Sequence, residues 1–128
     1  MQMRVLLVDD ERELVSTLAE RLALRGIQAD WAISAEQALE CVEKETYDIA
    51  VLDIKIPKIS GLELKKRLQE KCPEMKFVFM TGHGSEDDYK AVLISAGAAY
   101  YLVKPVNINV LIEKMNEVLE GEGGLDAE

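Results

Sequence analysis

The chain has 128 residues, the length of a single domain, and 48% of them are hydrophobic, which is enough to build a core. Its formal net charge of −9 argues against direct binding to nucleic acid or to an anionic membrane surface, because both need a basic face. The two cysteines lack metal-ligand spacing and there is one histidine, so no zinc site is expected. There is no signal-peptide pattern and no apolar run near the roughly 20 residues of a membrane span, so we expect a cytoplasmic protein with reduced thiols.

Apolar runs and helical periodicity alternate along the chain. In chain order, the predicted strands cover residues 4–8, 27–33, 48–53, 76–80 and 99–103. The predicted helices begin near residues 11, 34, 60, 85 and 107, and the last four of these starts carry a Ser or Asn suited to an N-cap. Residues 3–120 are thus predicted to form one domain. The polar, glycine-rich residues 121–128 are predicted to form a flexible tail or the start of a linker.

Five strands that alternate with five helices predict an α/β fold with a parallel sheet and helices on both faces. The third strand supports a parallel sheet, because its continuous apolar run is typical of a strand buried on both faces. We expect a flavodoxin-like (βα)5 doubly wound sheet with strand order 2-1-3-4-5. In that order the carboxyl ends of the strands form a crevice where ligands bind.

Residues that carry chemistry follow four of the five predicted strands. Asp9 and Asp10 follow the first strand, Asp53 ends the third, Thr81 follows the fourth and Lys104 follows the fifth. The second strand has no ionisable residue at its end, which fits its expected place away from the crevice. The other four ends are expected to meet at one edge of the sheet.

Three carboxylates at one edge repel one another and raise one another's pKa unless a cation is present. Their oxygen atoms are hard donors, so the expected cation is Mg²⁺ or Mn²⁺ rather than zinc. Lys104 adds a positive charge and Thr81 adds a hydroxyl donor. This set suits phosphoryl transfer, with Asp53 as a nucleophile that forms an aspartyl phosphate.

Four motifs in register resemble the receiver domain of two-component response regulators. They are Val8-Asp9-Asp10-Glu11, Asp53 followed by Pro57 and Gly61, Met80-Thr81-Gly82-His83-Gly84, and Val103-Lys104-Pro105. Each motif is weak alone, but their order and spacing on one repeated strand–helix pattern form a strong signal. The resemblance covers about residues 3 to 120.

This resemblance implies a role for each matching residue. Asp53 would be the phosphoacceptor, and a sensor histidine kinase or phosphotransfer protein would be the donor. Asp10, Asp53 and the backbone carbonyl of Lys55 would bind Mg²⁺ directly, and Asp9 would bind it through a water molecule. Thr81 and Lys104 would contact phosphoryl oxygens, and the Lys104–Pro105 peptide bond would be cis.

The resemblance also implies a two-state switch. Thr81 would follow the phosphoryl group, and Tyr101 would fill the space that it leaves. The surface of the predicted fourth helix, fifth strand and fifth helix would then favour a partner-binding form. Lys55 and His83 stand two residues after the acceptor and the threonine, where we expect side chains to tune the lifetime of the phosphoryl group.

Two other functions are compatible with parts of this pattern. A Mg²⁺-dependent phosphohydrolase of the haloacid dehalogenase type would need an Asp two residues after the nucleophile, where this chain has Lys55. A nucleotide- or flavin-binding module would need a loop rich in glycine or hydroxyl groups after the first strand. A switch that catalyses only its own phosphorylation and dephosphorylation fits better. The downstream output domain or partner, and a phosphorylation-dependent homodimer, remain open.

Overall fold

The computed structural model describes residues 3–82 and 101–126. The chain forms strands and helices in the order β1 (Arg4–Val8), α1 (Arg12–Leu24), β2 (Gln28–Ala32), α2 (Ala35–Lys44), β3 (Ile49–Asp53), α3 (Gly61–Lys71), β4 (Lys76–Thr81), β5 (Tyr101–Val103) and α4 (Ile108–Asp126). The helix predicted to begin near residue 85 lies outside the described residues. Within the described ranges, no helix is long and apolar enough to cross a membrane.

The sheet has five parallel strands in the order β2-β1-β3-β4-β5, as predicted. The central strand β3 is buried along its whole length, from Ile49 to Asp53. The less apolar strand β2 lies at one edge and is partly exposed. The switch in strand order between β1 and β3 opens the crevice at the carboxyl ends of these two strands.

Side chains alternate between the two faces of the sheet, so each face has its own apolar cluster. One cluster joins the sheet to α1 and α4 and includes Val51, Leu22 and Met115, all with no exposed surface. The other joins the sheet to α2 and α3 and includes Leu52 and Leu64, which are also fully buried. The flavodoxin-like, doubly wound architecture expected from the sequence is therefore confirmed.

The helix starts follow the predicted capping chemistry. Ser34 Oγ accepts a hydrogen bond from Gln37 N at 3.1 Å, and Ser60 Oγ accepts one from Glu63 N at 3.1 Å. Asn107 Oδ1 accepts hydrogen bonds from two backbone N–H groups at the start of α4. These bonds satisfy donors that a helix N-terminus leaves without an intrahelical partner.

Helix α4 extends further than the sequence suggests. It continues to Asp126, past the boundary predicted at residue 120, and thus includes most of the segment predicted as a tail. The prediction relied on the glycines of this segment, but each glycine costs a helix only about 1 kcal/mol. Because helix nucleation is costly and propagation is not, an established helix can continue through such residues. The flexibility of the segment stays a prediction.

Candidate functional site

The sheet brings the four strand ends together at its carboxyl edge. Backbone hydrogen bonds continue past the strands, because Ile54 N donates to Met80 O at 2.9 Å and Lys104 N donates to Thr81 O at 2.8 Å. Asp9 N donates in the same way to Ala32 O at 3.1 Å. The residues that leave the strands are therefore held by the sheet itself rather than by mobile loops.

Three aspartates form an acidic cluster at this edge. One carboxylate oxygen from each of Asp9, Asp10 and Asp53 lies within 4.8 Å of the others. Asp9 has no exposed surface and Asp53 is 5% exposed, whereas Asp10 is exposed. The site thus has two buried carboxylates with one open side.

Lys104 is the counter-ion of this cluster. Its Nζ lies 2.5 Å from Asp9 Oδ2, 3.2 Å from Asp53 Oδ2 and 3.0 Å from Glu11 Oε1. The Lys104 side chain is only 14% exposed, so these contacts are poorly screened by water. One ammonium group therefore joins the ends of β1, β3 and β5.

Backbone donors bind the remaining carboxylate oxygens of the two buried aspartates. Glu11 N donates to Asp9 Oδ1 at 2.9 Å, and Lys55 N donates to Asp53 Oδ1 at 3.3 Å. Asp9 Oδ2 is buried in ion contact with Lys104, yet it accepts no well-directed hydrogen bond within the described part of the chain. The ion contact with Lys104 therefore offsets part of the free-energy cost of burying this oxygen.

Burial is the main cause of the altered proton affinities at the site. Desolvation raises the pKa of Asp9 to about 6, against the opposing effects of Lys104 and Glu11 N, and the charge of Asp53 adds a smaller rise. Desolvation also raises the pKa of Asp53, although Lys104 partly offsets it. The mutual repulsion expected from the sequence is present but is not the largest cause.

The pKa of Lys104 moves in the direction that keeps it charged. Burial by itself lowers this pKa, but the contacts with Asp9, Glu11 and Asp53 outweigh burial and raise it above its ordinary value. Lys104 thus remains a cation across the physiological pH range. Its charge is permanent, whereas the charge of Asp9 depends on pH.

The donor set fits a hard divalent cation. Asp9, Asp10 and Asp53 offer only carboxylate oxygens, which Mg²⁺ and Mn²⁺ prefer. One ammonium group, that of Lys104, faces these three carboxylates and Glu11, so the site keeps an excess of negative charge that a divalent cation would neutralise. The metal chemistry inferred from the sequence therefore agrees with the residues that the fold brings together.

The other predicted site residues lie around this cluster or outside the described part. Thr81 is 4% exposed at the end of β4, and Tyr101 is half-buried against the apolar cluster under α2 and α3. The Lys104–Pro105 peptide bond is cis, which confirms the implication of the resemblance. The Lys55 side chain is exposed. His83 lies outside the described residues.

Gly61 has a positional role that sequence reasoning did not specify. Its N–H donates to Ile54 O at 2.6 Å, and a Cβ placed on Gly61 would lie 2.2 Å from the backbone oxygen of Asp53. Only glycine allows the start of α3 to approach the phosphoacceptor candidate so closely. The glycine eight residues after Asp53 was visible in the sequence, but the contact depends on tertiary structure.

Glu11 is a second residue whose contact was not anticipated. The sequence suggested only the start of α1, where a carboxylate is favourable. In the structure its side chain reaches Lys104, which is 93 residues away in sequence. The only available signal was its place directly after the Asp9-Asp10 pair.

Comparison with known proteins gives a consistent family match. Residues 5–116 match the family described as the response regulator receiver domain. The transcriptional regulatory protein CpxR of Escherichia coli K12 is 34% identical over 116 residues, which cover 91% of this chain and 49% of CpxR. The two-component response regulator PhoP of Pseudomonas aeruginosa is 34% identical over 122 residues, or 95% of this chain and 54% of PhoP.

A solved structure agrees with these sequence relatives. A response regulator receiver domain protein (CheY-like) from Methanospirillum hungatei JF-1 superposes with a TM-score of 0.83 at 31% identity, over 97% of this chain and 98% of that one. The chain spans about half the length of the curated relatives it matches.

Proposed function

This chain belongs to the response regulator receiver domain family, and we propose that it is a phosphorylation-activated signalling switch with Asp53 as the phosphoacceptor. The observation that carries the proposal is the placement of Asp53. It is a buried carboxylate at the end of the central strand, with Lys104 Nζ 3.2 Å from one of its oxygens and two further aspartates beside it. Receiver domains of this family are signalling switches rather than conventional enzymes.

The proposed chemistry is a single phosphoryl transfer. An oxygen of the Asp53 carboxylate attacks the phosphorus atom of the donor, the bond from phosphorus to the donor's leaving atom breaks, and an acyl phosphate forms on Asp53. For a phosphohistidine donor the leaving atom is a ring nitrogen. Lys104 pairs with a phosphoryl oxygen, and Thr81 donates a hydrogen bond to another. The protein thus acts mainly by positioning the reacting groups and by neutralising the negative charge of the phosphoryl group.

We propose that Asp10, Asp53 and the backbone carbonyl of Lys55 hold Mg²⁺ directly and that Asp9 acts through a bound water molecule. When bound, the ion neutralises negative charge on the phosphoryl group during transfer. The burial of Asp9 and the exposure of Asp10 support different roles for the two residues. The N–H of Lys55 donates to Asp53 Oδ1 and holds this carboxylate in place.

The proposed switch uses Thr81 and Tyr101. Thr81 is held at the end of β4 by the backbone bond from Lys104, and Phe79 of β4 pairs in register with Tyr101 of β5. A shift of Thr81 toward the phosphoryl group can thus be transmitted to Tyr101 through adjacent strands. The output surface would comprise β5, α4 (the helix predicted as the fifth) and the helix predicted to begin near residue 85. The last of these lies outside the described residues.

The proposed partners follow from the family. A sensor histidine kinase or phosphotransfer protein would donate the phosphoryl group, and a downstream domain or protein would receive the signal. We propose residues 3–120 as the receiver domain and residues 121–128 as a tail or the start of a linker. A second copy of this domain is a further candidate partner for the same surface after phosphorylation, and direct nucleic-acid binding by this acidic domain is not proposed.

The test is incubation with acetyl phosphate and Mg²⁺, followed by intact-mass measurement. We expect one phosphoryl adduct per chain, with no adduct in Asp53→Asn or in the wild type treated with a chelator. Rapid release of phosphate from many phosphate esters would favour the phosphohydrolase instead. A folded wild-type protein that gains no phosphoryl group would refute the proposal.

A further inference from the structure

The ammonium group of Lys104 lies next to three carboxylates. An ammonium group has three N–H donors, and Lys104 Nζ lies within 3.2 Å of Asp9, Glu11 and Asp53. Its directed hydrogen bonds go to Glu11 and Asp53, so an incoming phosphoryl oxygen competes with the carboxylates for this ammonium group. One of the three contacts has to weaken for the new pair to form.

The three carboxylates differ sharply in exposure. The side chains of Asp9 and Asp53 are 0% and 7% exposed, whereas that of Glu11 is 64% exposed. Asp53 keeps its carboxylate charge until the phosphoryl group is transferred to it, so release of either buried carboxylate before transfer would leave an unpaired charge in the interior, which is strongly unfavourable. Release of Glu11 only returns an exposed carboxylate to water. Glu11 is thus the partner that Lys104 can exchange most readily.

The Glu11 side chain has no competing structural task within the described part of the chain. Glu11 is the N-cap residue of α1, but its side chain makes no capping hydrogen bond there. Its backbone N–H instead donates to Asp9 Oδ1, which fixes the start of the helix and directs the side chain toward Lys104. The usual role of a carboxylate at a helix start therefore does not account for its position.

We propose that Glu11 is a positioning residue that holds Lys104 in the unphosphorylated protein and yields it to the incoming phosphoryl group during transfer to Asp53. This inference rests on the proposed function. Glu11 competes with the incoming phosphoryl oxygen for the same ammonium group, so its contact slows phosphorylation. Because the pair is partly exposed, its effect on the rate is modest, about two- to fivefold.

Three variants separate this role from a general charge effect. Glu11→Gln removes both the charge and the ion pair, and Glu11→Asp keeps the charge on a side chain one methylene shorter that falls short of Lys104. Glu13→Gln removes another exposed negative charge two residues further along the chain, without touching Lys104. The measurement is the initial rate of Asp53 phosphorylation by acetyl phosphate at saturating Mg²⁺, with urea unfolding as a check on folding.

We expect both Glu11 variants to be phosphorylated about two- to fivefold faster than the wild type and Glu13→Gln to match it. A gain in rate without a change in stability is not expected of a merely structural residue. Three results would overturn the inference: a wild-type rate in Glu11→Asp, an equal gain in Glu13→Gln, or no gain in either Glu11 variant. The proposed function would still stand in these cases, provided that the wild type is phosphorylated. A wild type that takes no phosphoryl group would instead overturn the proposed function.

Discussion

Replacement of Asp9 by Asn should make the metal-free protein more stable at neutral pH. Asp9 has no exposed surface, and burial raises its pKa from 3.8 to about 6. A carboxyl group with a raised pKa contributes stability that is present below the unfolded-state pKa and is lost as the pH rises through the folded-state value. The loss therefore falls between about pH 4 and pH 6. At pH 7.5 the ionised Asp9 lowers the free energy of unfolding.

The size of this effect follows from the two pKa values. A shift from 3.8 to about 6 corresponds to about 3 kcal/mol at pH 7.5, since one pKa unit is about 1.4 kcal/mol. Asn resembles the protonated carboxyl group in shape and does not titrate. The Asp9→Asn variant should thus exceed the wild type by up to about 3 kcal/mol at pH 7.5, and by only about 1 kcal/mol at pH 4.5.

The assay is urea unfolding of both proteins at pH 7.5 and pH 4.5 in the presence of a chelator. Glu70→Gln, an exposed change on α3, is the matched control and should stay within about 0.5 kcal/mol of the wild type at both pH values. Added Mg²⁺ should stabilise the wild type more than Asp9→Asn and narrow the gap, because the ion binds the folded state. A gap that is absent, or that is the same at both pH values, would refute the reasoning.

Three further predictions concern residues around the site. Gly61→Ala should lower stability by about 1–3 kcal/mol and slow phosphorylation, because the added Cβ would collide with the Asp53 backbone. Gly82→Ala is the control and should keep wild-type stability in the same urea assay, because its Cβ meets nothing within 4 Å among the described residues. Lys58 has a φ of 78°, so Lys58→Gly should raise the urea midpoint by relieving up to about 1 kcal/mol of strain; a lower midpoint would contradict this. Lys55→Asn and His83→Ala should change the rate of Asp53 dephosphorylation, measured by loss of the adduct mass, and unchanged rates in both would remove these side chains from the tuning role.

The sequence was sufficient for the features that depend on local pattern. The apolar run that leads into Asp53 predicted a strand buried on both faces, and β3 is buried throughout. The lack of an ionisable residue after the second strand placed that strand away from the crevice, and β2 lies at the edge of the sheet. Ser34 and Ser60 each cap the predicted helix, because capping depends on residues only three positions apart.

The features that the sequence did not reveal depend on contacts between distant residues. The contact of Glu11 with Lys104 joins residues at opposite ends of the chain, and the close approach of Gly61 to Asp53 depends on how α3 meets β3. Burial cannot be judged from the sequence, so the raised pKa values of the carboxyl groups were attributed to their mutual repulsion. Desolvation of Asp9 is the larger effect, and it becomes visible only once the fold covers that residue.

The central claim is that Asp53 carries the phosphoryl group, and chemical trapping tests it most directly. The protein is phosphorylated with acetyl phosphate and Mg²⁺ and then reduced with borohydride, which converts an aspartyl phosphate to homoserine. Peptide mass spectrometry then locates the reduced residue. We expect homoserine at position 53 alone. Homoserine at position 9 or 10, or none in a folded protein that has gained a phosphoryl group, would contradict the account.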